Sequence, residues 1–186
     1  MKVDQSKWDV RYQNTQYPTL PSMILTDFIH LAPPGNALDI ATGNGRNALF
    51  LAQNKFKVDA VDISNVGIKK SAIDTSNINF IHQDLDHFKI KQNYYDVVVN
   101  INFLDRNLFS QMMQSLKNNG LLIFQTKLKP SDSIIKRIKS TKSHYLLPNE
   151  LLEAFHDLHI IYYSEHKIKI INDISFQIAS LVADKR

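Results

Sequence analysis

The apolar positions of this chain follow two spacings, which predicts strands and helices that succeed one another along most of its length. Short apolar runs are typical of buried strands, and apolar residues that recur every three or four positions indicate amphipathic helices. The predicted strands are Ala37 to Ala41, Phe56 to Ile63, Asn77 to His82, Tyr95 to Ile101 and Leu121 to Thr126. The predicted helices between and before them are Thr19 to Leu31, Arg46 to Lys55, Ser64 to about Asp74 and Arg106 to Leu116. This alternation predicts a parallel sheet with helices on both faces.

The pattern changes in the last third of the chain. A short helix from Pro148 to His156 is followed by two strand-like runs, His159 to Ser164 and Ile174 to Ala183. We therefore predict an α/β, doubly wound, Rossmann-like single domain, with a mostly parallel sheet of about seven strands and an antiparallel C-terminal strand pair. Within residues 1–186 we expect an N-terminal arm and helix (1–32), a core (36–126), a basic flap (127–147) and a C-terminal part (148–186).

The composition limits the kind of protein. The 186 residues are 44% hydrophobic and 22% charged, which suits one globular domain with a sizeable core. The chain has no cysteine, so disulfides, thiolate metal sites and a cysteine nucleophile are excluded. No apolar run approaches the roughly 18 residues of a membrane span, and we expect a cytoplasmic protein.

Basic residues are concentrated in one stretch although the net charge is only +4. The stretch contains Lys127, Lys129, Lys136, Arg137, Lys139 and Lys142 against the single acid Asp132. It is either a solvated loop or a flap over an anionic substrate or a nucleic-acid backbone. Within this stretch no aromatic residue for base stacking occurs before Tyr145, so binding of nucleic acid is not favoured.

Two of the five glycines form a turn between the first predicted strand and the next helix. A glycine-rich turn at such a junction is typical of nucleotide-type cofactor sites, where the backbone approaches the ligand closely. The spacing Gly43-x-Gly45-x-x-Ala48, with Asp62 about 20 residues further on, fits the dinucleotide fingerprint. A nicotinamide-dependent oxidoreductase is therefore one hypothesis.

Acidic residues near the turn favour a different ligand. Asp39 lies ahead of the glycines, where it would repel a pyrophosphate but suits the amine and sulfonium of S-adenosylmethionine. Asp62 and Asp84 follow the second and third strands, so acceptors would line the carboxyl edge of the sheet. Such a cleft favours a hydroxyl-rich cation over a dinucleotide.

The motifs resemble one enzyme class in particular. The runs from Leu38 to Ala48 and from Val61 to Ser64 are similar to class I S-adenosylmethionine-dependent methyltransferases. Among these, the chain most resembles small bacterial tellurite-resistance or thiopurine-type methyltransferases. The likeness covers most of the chain and also rests on the stretches 8–12, 100–106 with 120–123, and 145–151. That family often has cysteine-glycine or a similar pair where Ala41-Thr42 stands, and we expect a non-glycine at Thr42 to tighten the turn.

The resemblance implies a role for individual residues. Around the methionine part of the cofactor it places Asp39, the backbone of Ala41, Gly43 and Gly45. Around the ribose and adenine it places Asp62, Ile63, Asp84 and Leu85. It brings the carbonyl of Asn100 to the cofactor amine and closes the methionine end with Trp8, Arg11 and Tyr12.

Several of these residues also have a purely structural interpretation. Asp39 could cap the next helix or pair with Arg46, Asp84 could be a loop acid, and Trp8 could anchor the N-terminal arm. Asn100 could serve structural hydrogen bonding, because a buried amide needs partners.

Methyl transfer from a sulfonium is an in-line displacement that requires positioning and exclusion of water, but no metal. A general base is needed only if the acceptor is protonated, so we expect a small, soft or anionic acceptor and no strong catalytic constellation. Arg106, His144 and Tyr145 are the candidates near the acceptor. A non-catalytic S-adenosylmethionine-binding protein and an RNA or protein methyltransferase remain alternatives.

Overall fold

A computed structural model describes residues 2–71, 76–129, 145–171 and 174–186, and its centre is one seven-stranded sheet. The strands are β1 (Asn36–Ile40), β2 (Lys57–Asp62), β3 (Ile78–His82), β4 (Tyr95–Ile101), β5 (Leu116–Leu128), β6 (His159–Ile171) and β7 (Ile174–Asp184). The helices are α1 (Lys2–Asn14), α2 (Met23–Phe28), α3 (Arg46–Gln53), α4 (Asn65–Lys70), α5 (Phe109–Ser115) and α6 (Glu150–Ala154). Short 3-10 turns, Ile29–Leu31 and Arg106–Leu108, follow α2 and precede α5.

The order of the strands confirms the predicted fold class. The sheet runs β3-β2-β1-β4-β5-β7-β6, with parallel pairing from β3 to β5. β7 pairs antiparallel with both β5 and β6, which gives the expected antiparallel C-terminal pair in a single domain. The chain direction of the crossovers reverses between β1 and β4, and ligands of such sheets bind beside this switch point.

The two faces of the sheet are buried by different elements. On one face, Leu38, Ile40 and Val98 belong to a core that includes Met112 of α5 and Leu151 of α6. Successive strand residues point to opposite faces. The neighbouring positions therefore join a second core, which contains Ala37, Val97, Val99, Leu25 of α2 and Leu51 of α3.

Some predicted boundaries differ from the observed ones. The helix expected over Thr19 to Leu31 starts only at Met23, because Arg46 binds the backbone carbonyl of Leu20 and the hydroxyl of Ser22 and holds that approach in a non-helical path. The helix after Ser64 ends at Lys70, and its predicted continuation falls partly on 72–75, outside the described residues. Most of the predicted basic flap, 130–144, also lies outside them.

Candidate functional site

The predicted glycine turn lies at the carboxyl end of β1, beside the switch point. Gly43 and Gly45 both adopt positive φ angles, +62° and +74°. The amide of Thr42 donates to the carbonyl of Val61, and the amide of Gly45 donates to Thr42, so the turn is fastened to β2 and closed on itself. Backbone of this shape can approach a ligand closely because no side chain projects from either glycine.

The turn also contains a third residue with a left-handed backbone, which is Ala41 at φ +53°. The sequence led us to expect the non-glycine at Thr42 to shape the turn. Instead, the positive φ falls on Ala41, while the Thr42 hydroxyl donates to Asp39 at 2.5 Å. A left-handed conformation is unfavourable for an L-residue with a Cβ atom, so Ala41 is a strained position.

Replacing Ala41 with glycine is expected to raise the free energy of unfolding by about 1 kcal/mol, because glycine adopts this φ without strain. Urea denaturation would measure the change. Ala52→Gly in α3 is the matched control and should lower the free energy of unfolding by about 1 kcal/mol, since glycine is unfavourable inside a helix. A lower stability of the Ala41→Gly variant would contradict the assignment of strain.

Asp39 is buried at the end of β1 with only 1% of its surface exposed. Burial raises the pKa of its carboxyl to about 7, the Thr42 hydroxyl lowers it, and the nearby Asp62 raises it. The backbone N–H of Ala48 in α3 also stabilises the charged form. The charge of Arg46 also lowers this pKa, and the role of Asp39 toward a cofactor remains a prediction.

Asp62 joins the glycine turn to the start of α4. One carboxylate oxygen accepts from the amide of Gly43 at 2.7 Å, and the other accepts from the amide of Ser64 at 2.7 Å. Burial raises the pKa of Asp62, although both amides lower it. Each oxygen retains a second lone pair, so the carboxylate can accept two further hydrogen bonds from ligand hydroxyls.

The N-terminal arm lies against the turn. A Cβ atom on Gly43 would come within 2.2 Å of the hydroxyl of Tyr12, and one on Gly67 would meet the Tyr12 ring at 3.1 Å. Burial, and after it the charge of Asp62, raises the pKa of the Tyr12 hydroxyl. The guanidinium of Arg11 stacks on Trp8, 4.9 Å from the ring centroid. Tyr12 is thus adjacent to the turn, whereas Arg11 is exposed and Trp8 is partly buried.

The residues expected around adenine surround the ends of β2 and β3. Asp84 accepts from the amide of Asp86, and its carbonyl accepts from His87 and Phe88, which are the contacts of a loop acid. Leu85 is 7% exposed and belongs to the core. The carbonyl of Ile63 lies 3.0 Å from Nε2 of His82. Their contacts to a cofactor remain predictions.

Asn100 is the next-to-last residue of β4, pairs with Ile40 of β1 and is fully buried. Its amide nitrogen donates to the carbonyl of Phe103 at 2.9 Å. Among the described residues, its Oδ1 is the buried side-chain polar atom that has no hydrogen-bond partner. A buried unpaired oxygen is costly, which makes Oδ1 a point where a ligand donor would be favoured.

The acceptor-side candidates have definite structural contacts. Arg106 forms a two-pronged ion pair with Glu150, at 2.5 and 2.9 Å, and donates to the carbonyl of Tyr145. Tyr145 is buried, and His144 lies outside the described residues. Because Glu150 neutralises the Arg106 guanidinium, Arg106 mainly fastens the start of α6, and its steering of an anion remains a prediction.

Two further kinds of site are absent from the described ranges. There, no group of three or more histidine or acidic residues could hold a metal ion. None of the helices in those ranges is both long enough and apolar enough to span a membrane.

Sequence reasoning missed the part that Asp9 and Ser64 play at this site. Ser64 was predicted only as a helix cap, which the structure confirms, since its hydroxyl accepts from the amide of Gly67. Asp9 lies between Trp8 and Arg11, yet it is Asp9 that bonds to the start of α4. The only signal in the sequence for this role of Asp9 is its position within the stretch 8–12, on which the family resemblance partly rests.

The comparisons with known proteins agree with this geometry. Residues 37–120 match a family described as "Methyltransferase domain". TehB from Haemophilus influenzae has a TM-score of 0.73 at 19% identity, over 98% of this chain and 67% of that one. No curated protein sequence matches the chain.

Two structures of similar fold contain a cofactor-type ligand. Geranyl diphosphate C-methyltransferase from Streptomyces coelicolor A3(2), in complex with S-adenosyl-L-homocysteine, has a TM-score of 0.66 at 16% identity, over 87% of this chain and 75% of that one. Phosphoethanolamine N-methyltransferase 2 from Haemonchus contortus, in complex with S-adenosyl-L-methionine, has a TM-score of 0.71 at 14% identity. The match covers 96% of this chain and 60% of that one. The resemblance inferred from the motifs is confirmed: residues 37–120 match a methyltransferase domain, and the chain has the fold of the class I S-adenosylmethionine-dependent methyltransferases.

Proposed function

We propose that the protein transfers a methyl group from S-adenosylmethionine to a small, soft or anionic acceptor. The observation that carries this proposal is the pair of buried acids beside the glycine turn, Asp39 and Asp62. Each raises the pKa of a neighbouring acidic group, and within the described residues neither forms an ion pair. A cationic ligand is favoured at such a site, whereas the pyrophosphate of a dinucleotide would be repelled.

The residues at the site fit this cofactor in three respects. The free lone pairs of Asp62 suit the two ribose hydroxyls, and the left-handed backbone at Gly43 and Gly45 shapes the turn beside them. Tyr12 lies next to Gly43, where it would contact the same ligand. When bound, S-adenosylmethionine supplies a methyl group on a positively charged sulfur.

The protein's own contribution is positioning rather than acid–base chemistry. Asp62 holds the turn and the start of α4 together through its two amide bonds, and Tyr12 of the N-terminal arm lies against Gly43, where it would help to exclude water. Near the end of β4, the unpaired Oδ1 of Asn100 provides an acceptor without a charge. A thiolate, selenolate or tellurium-derived acceptor would require no general base.

A turnover screen tests the proposed function. The protein would be incubated with S-adenosylmethionine labelled in its methyl group and with thiol, selenite, tellurite or small aromatic acceptors. We expect label transfer to at least one of the small acceptors. Binding of S-adenosylmethionine without transfer to any of them, or to RNA and protein, would indicate a non-catalytic binding protein instead.

Asp62→Ala is expected to weaken binding of S-adenosylmethionine by on the order of 1–3 kcal/mol, because ligand hydroxyls lose a charged acceptor. Calorimetric titration measures this change. Asp59→Asn is the matched control on the same strand: Asp59 binds Lys91 and Tyr95 at the far end of β2, so its loss should affect stability but not affinity. Equal affinity of wild type and Asp62→Ala would refute the assigned role of Asp62.

A further inference from the structure

Ser64, at the start of α4, connects two acidic residues from different parts of the chain. Its hydroxyl donates to Oδ1 of Asp9 at 2.7 Å, and its amide donates to Oδ1 of Asp62 at 2.7 Å. The same oxygen of Asp9 accepts from the amide of Val66 at 3.2 Å. Ser64 is fully buried and Asp9 is partly buried, so the bond from Ser64 to Asp62 is shielded from water and the bonds to Asp9 are partly shielded.

The other oxygen of Asp62 binds the amide of Gly43. A continuous path of hydrogen bonds therefore runs from Asp9 in the N-terminal helix, through Ser64 and Asp62, to the glycine turn. The same helix touches the turn a second time, because Tyr12 lies one turn after Asp9 and fits between Gly43 and Gly67. The contacts of α1 with the body of the protein are concentrated on α4 and the turn.

We propose that Asp9 is a positioning residue, which holds Ser64 and through it fixes Asp62 in the orientation that binds the cofactor. This inference rests on the proposed function and extends it, because it makes docking of the N-terminal helix a condition for tight cofactor binding. Asp9 itself touches neither cofactor nor acceptor in this account.

The charge of Asp9 gives this role an observable beyond stability. After burial and the two amide bonds, the Asp9 carboxylate is a further influence on Asp62, whose pKa it raises. His82 of β3 acts in the opposite direction, and Tyr12 and Asp39 also face Asp62. Removal of the Asp9 charge should therefore lower the pKa of Asp62. The acid limb of the binding profile, which is the pH range where affinity for the cofactor falls as Asp62 becomes protonated, should then move to lower pH.

A double-mutant cycle tests the hydrogen-bonded path. We expect Asp9→Ala and Ser64→Ala each to raise the Kd for S-adenosylmethionine about tenfold, since each removes a bond to a charged group. The double variant should bind no more weakly than the weaker-binding single variant, because both changes break the same path. Independent, additive losses, or a Kd of Asp9→Ala within twofold of wild type, would overturn the proposal.

Asp9→Asn provides the second readout in a variant that keeps the accepting oxygen. Its Kd at neutral pH should stay near the wild-type value, while the acid limb of the Kd–pH profile moves to lower pH. Asp4→Asn removes a charge from the same helix at an exposed position and should leave the limb in place. An unmoved limb in Asp9→Asn would overturn the role of Asp9. Failure of the wild type to bind S-adenosylmethionine would instead refute the proposed function itself.

Discussion

Gly43→Ala is expected to lower the free energy of unfolding by roughly 3 kcal/mol and to remove measurable cofactor binding, from the combined cost of a left-handed alanine and an overpacked contact. The backbone at Gly43 has φ +62°, which an alanine adopts only with strain. Its new Cβ would also lie 2.2 Å from the hydroxyl of Tyr12. Urea denaturation measures the first effect and calorimetric titration with S-adenosylmethionine the second.

Tyr12→Phe separates the two causes. It removes the hydroxyl, after which the nearest Tyr12 ring atom is 3.2 Å from the position of the added Cβ. In the Tyr12→Phe background, Gly43→Ala should therefore cost only about the 1–2 kcal/mol of the backbone strain. The same loss of stability in both backgrounds would show that Tyr12 does not occupy the space next to the turn.

Between pH 4 and pH 7 the free energy of unfolding of the ligand-free protein is expected to fall because of Asp39. The folded protein holds this proton with a pKa of about 7, against 3.8 in the unfolded chain. The stabilisation of the folded state by the Asp39 proton is therefore fully present below pH 4 and is lost as the pH rises through 7. It amounts to as much as about 4 kcal/mol for such a difference.

The Asp39→Asn variant isolates this effect from the other titrating groups. Asparagine keeps an oxygen for the Thr42 hydroxyl but has no titrating proton, so the difference between the two pH profiles belongs to Asp39. The thermal stabilisation by S-adenosylmethionine should increase through pH 7 in the wild type, and the variant should lack the part of this increase that belongs to Asp39. Parallel stability profiles of the two proteins would contradict a raised pKa at Asp39.

The fold was predictable because its signals are local. Short stretches of sequence are enough to predict the sheet and its turn: apolar runs such as Val97 to Val99 predict strands, and the glycines at 43 and 45 predict the turn. The N-terminal helix was expected only as an arm, since its sequence is polar and has no apolar stripe. It packs against α4, which lies more than fifty residues away in the sequence.

The site was predictable in its parts but not in its connections. The positions of Asp62 and of the turn follow from strand ends, which the apolar pattern locates. The pairing of Arg106 with Glu150 and that of Asp9 with Ser64 join residues 44 and 55 positions apart, and no local pattern specifies them. Likewise, only the backbone path shows that Ala41, and not Thr42, takes the left-handed conformation.

Calorimetric titration of the wild-type protein with S-adenosylmethionine, and separately with NADH, tests the central claim most directly. The two buried acids beside the glycine turn predict one S-adenosylmethionine per chain, with binding that weakens in Asp62→Ala and persists in Asp59→Asn. No heat of binding is expected with NADH. Saturable binding of NADH together with no binding of S-adenosylmethionine would contradict the account.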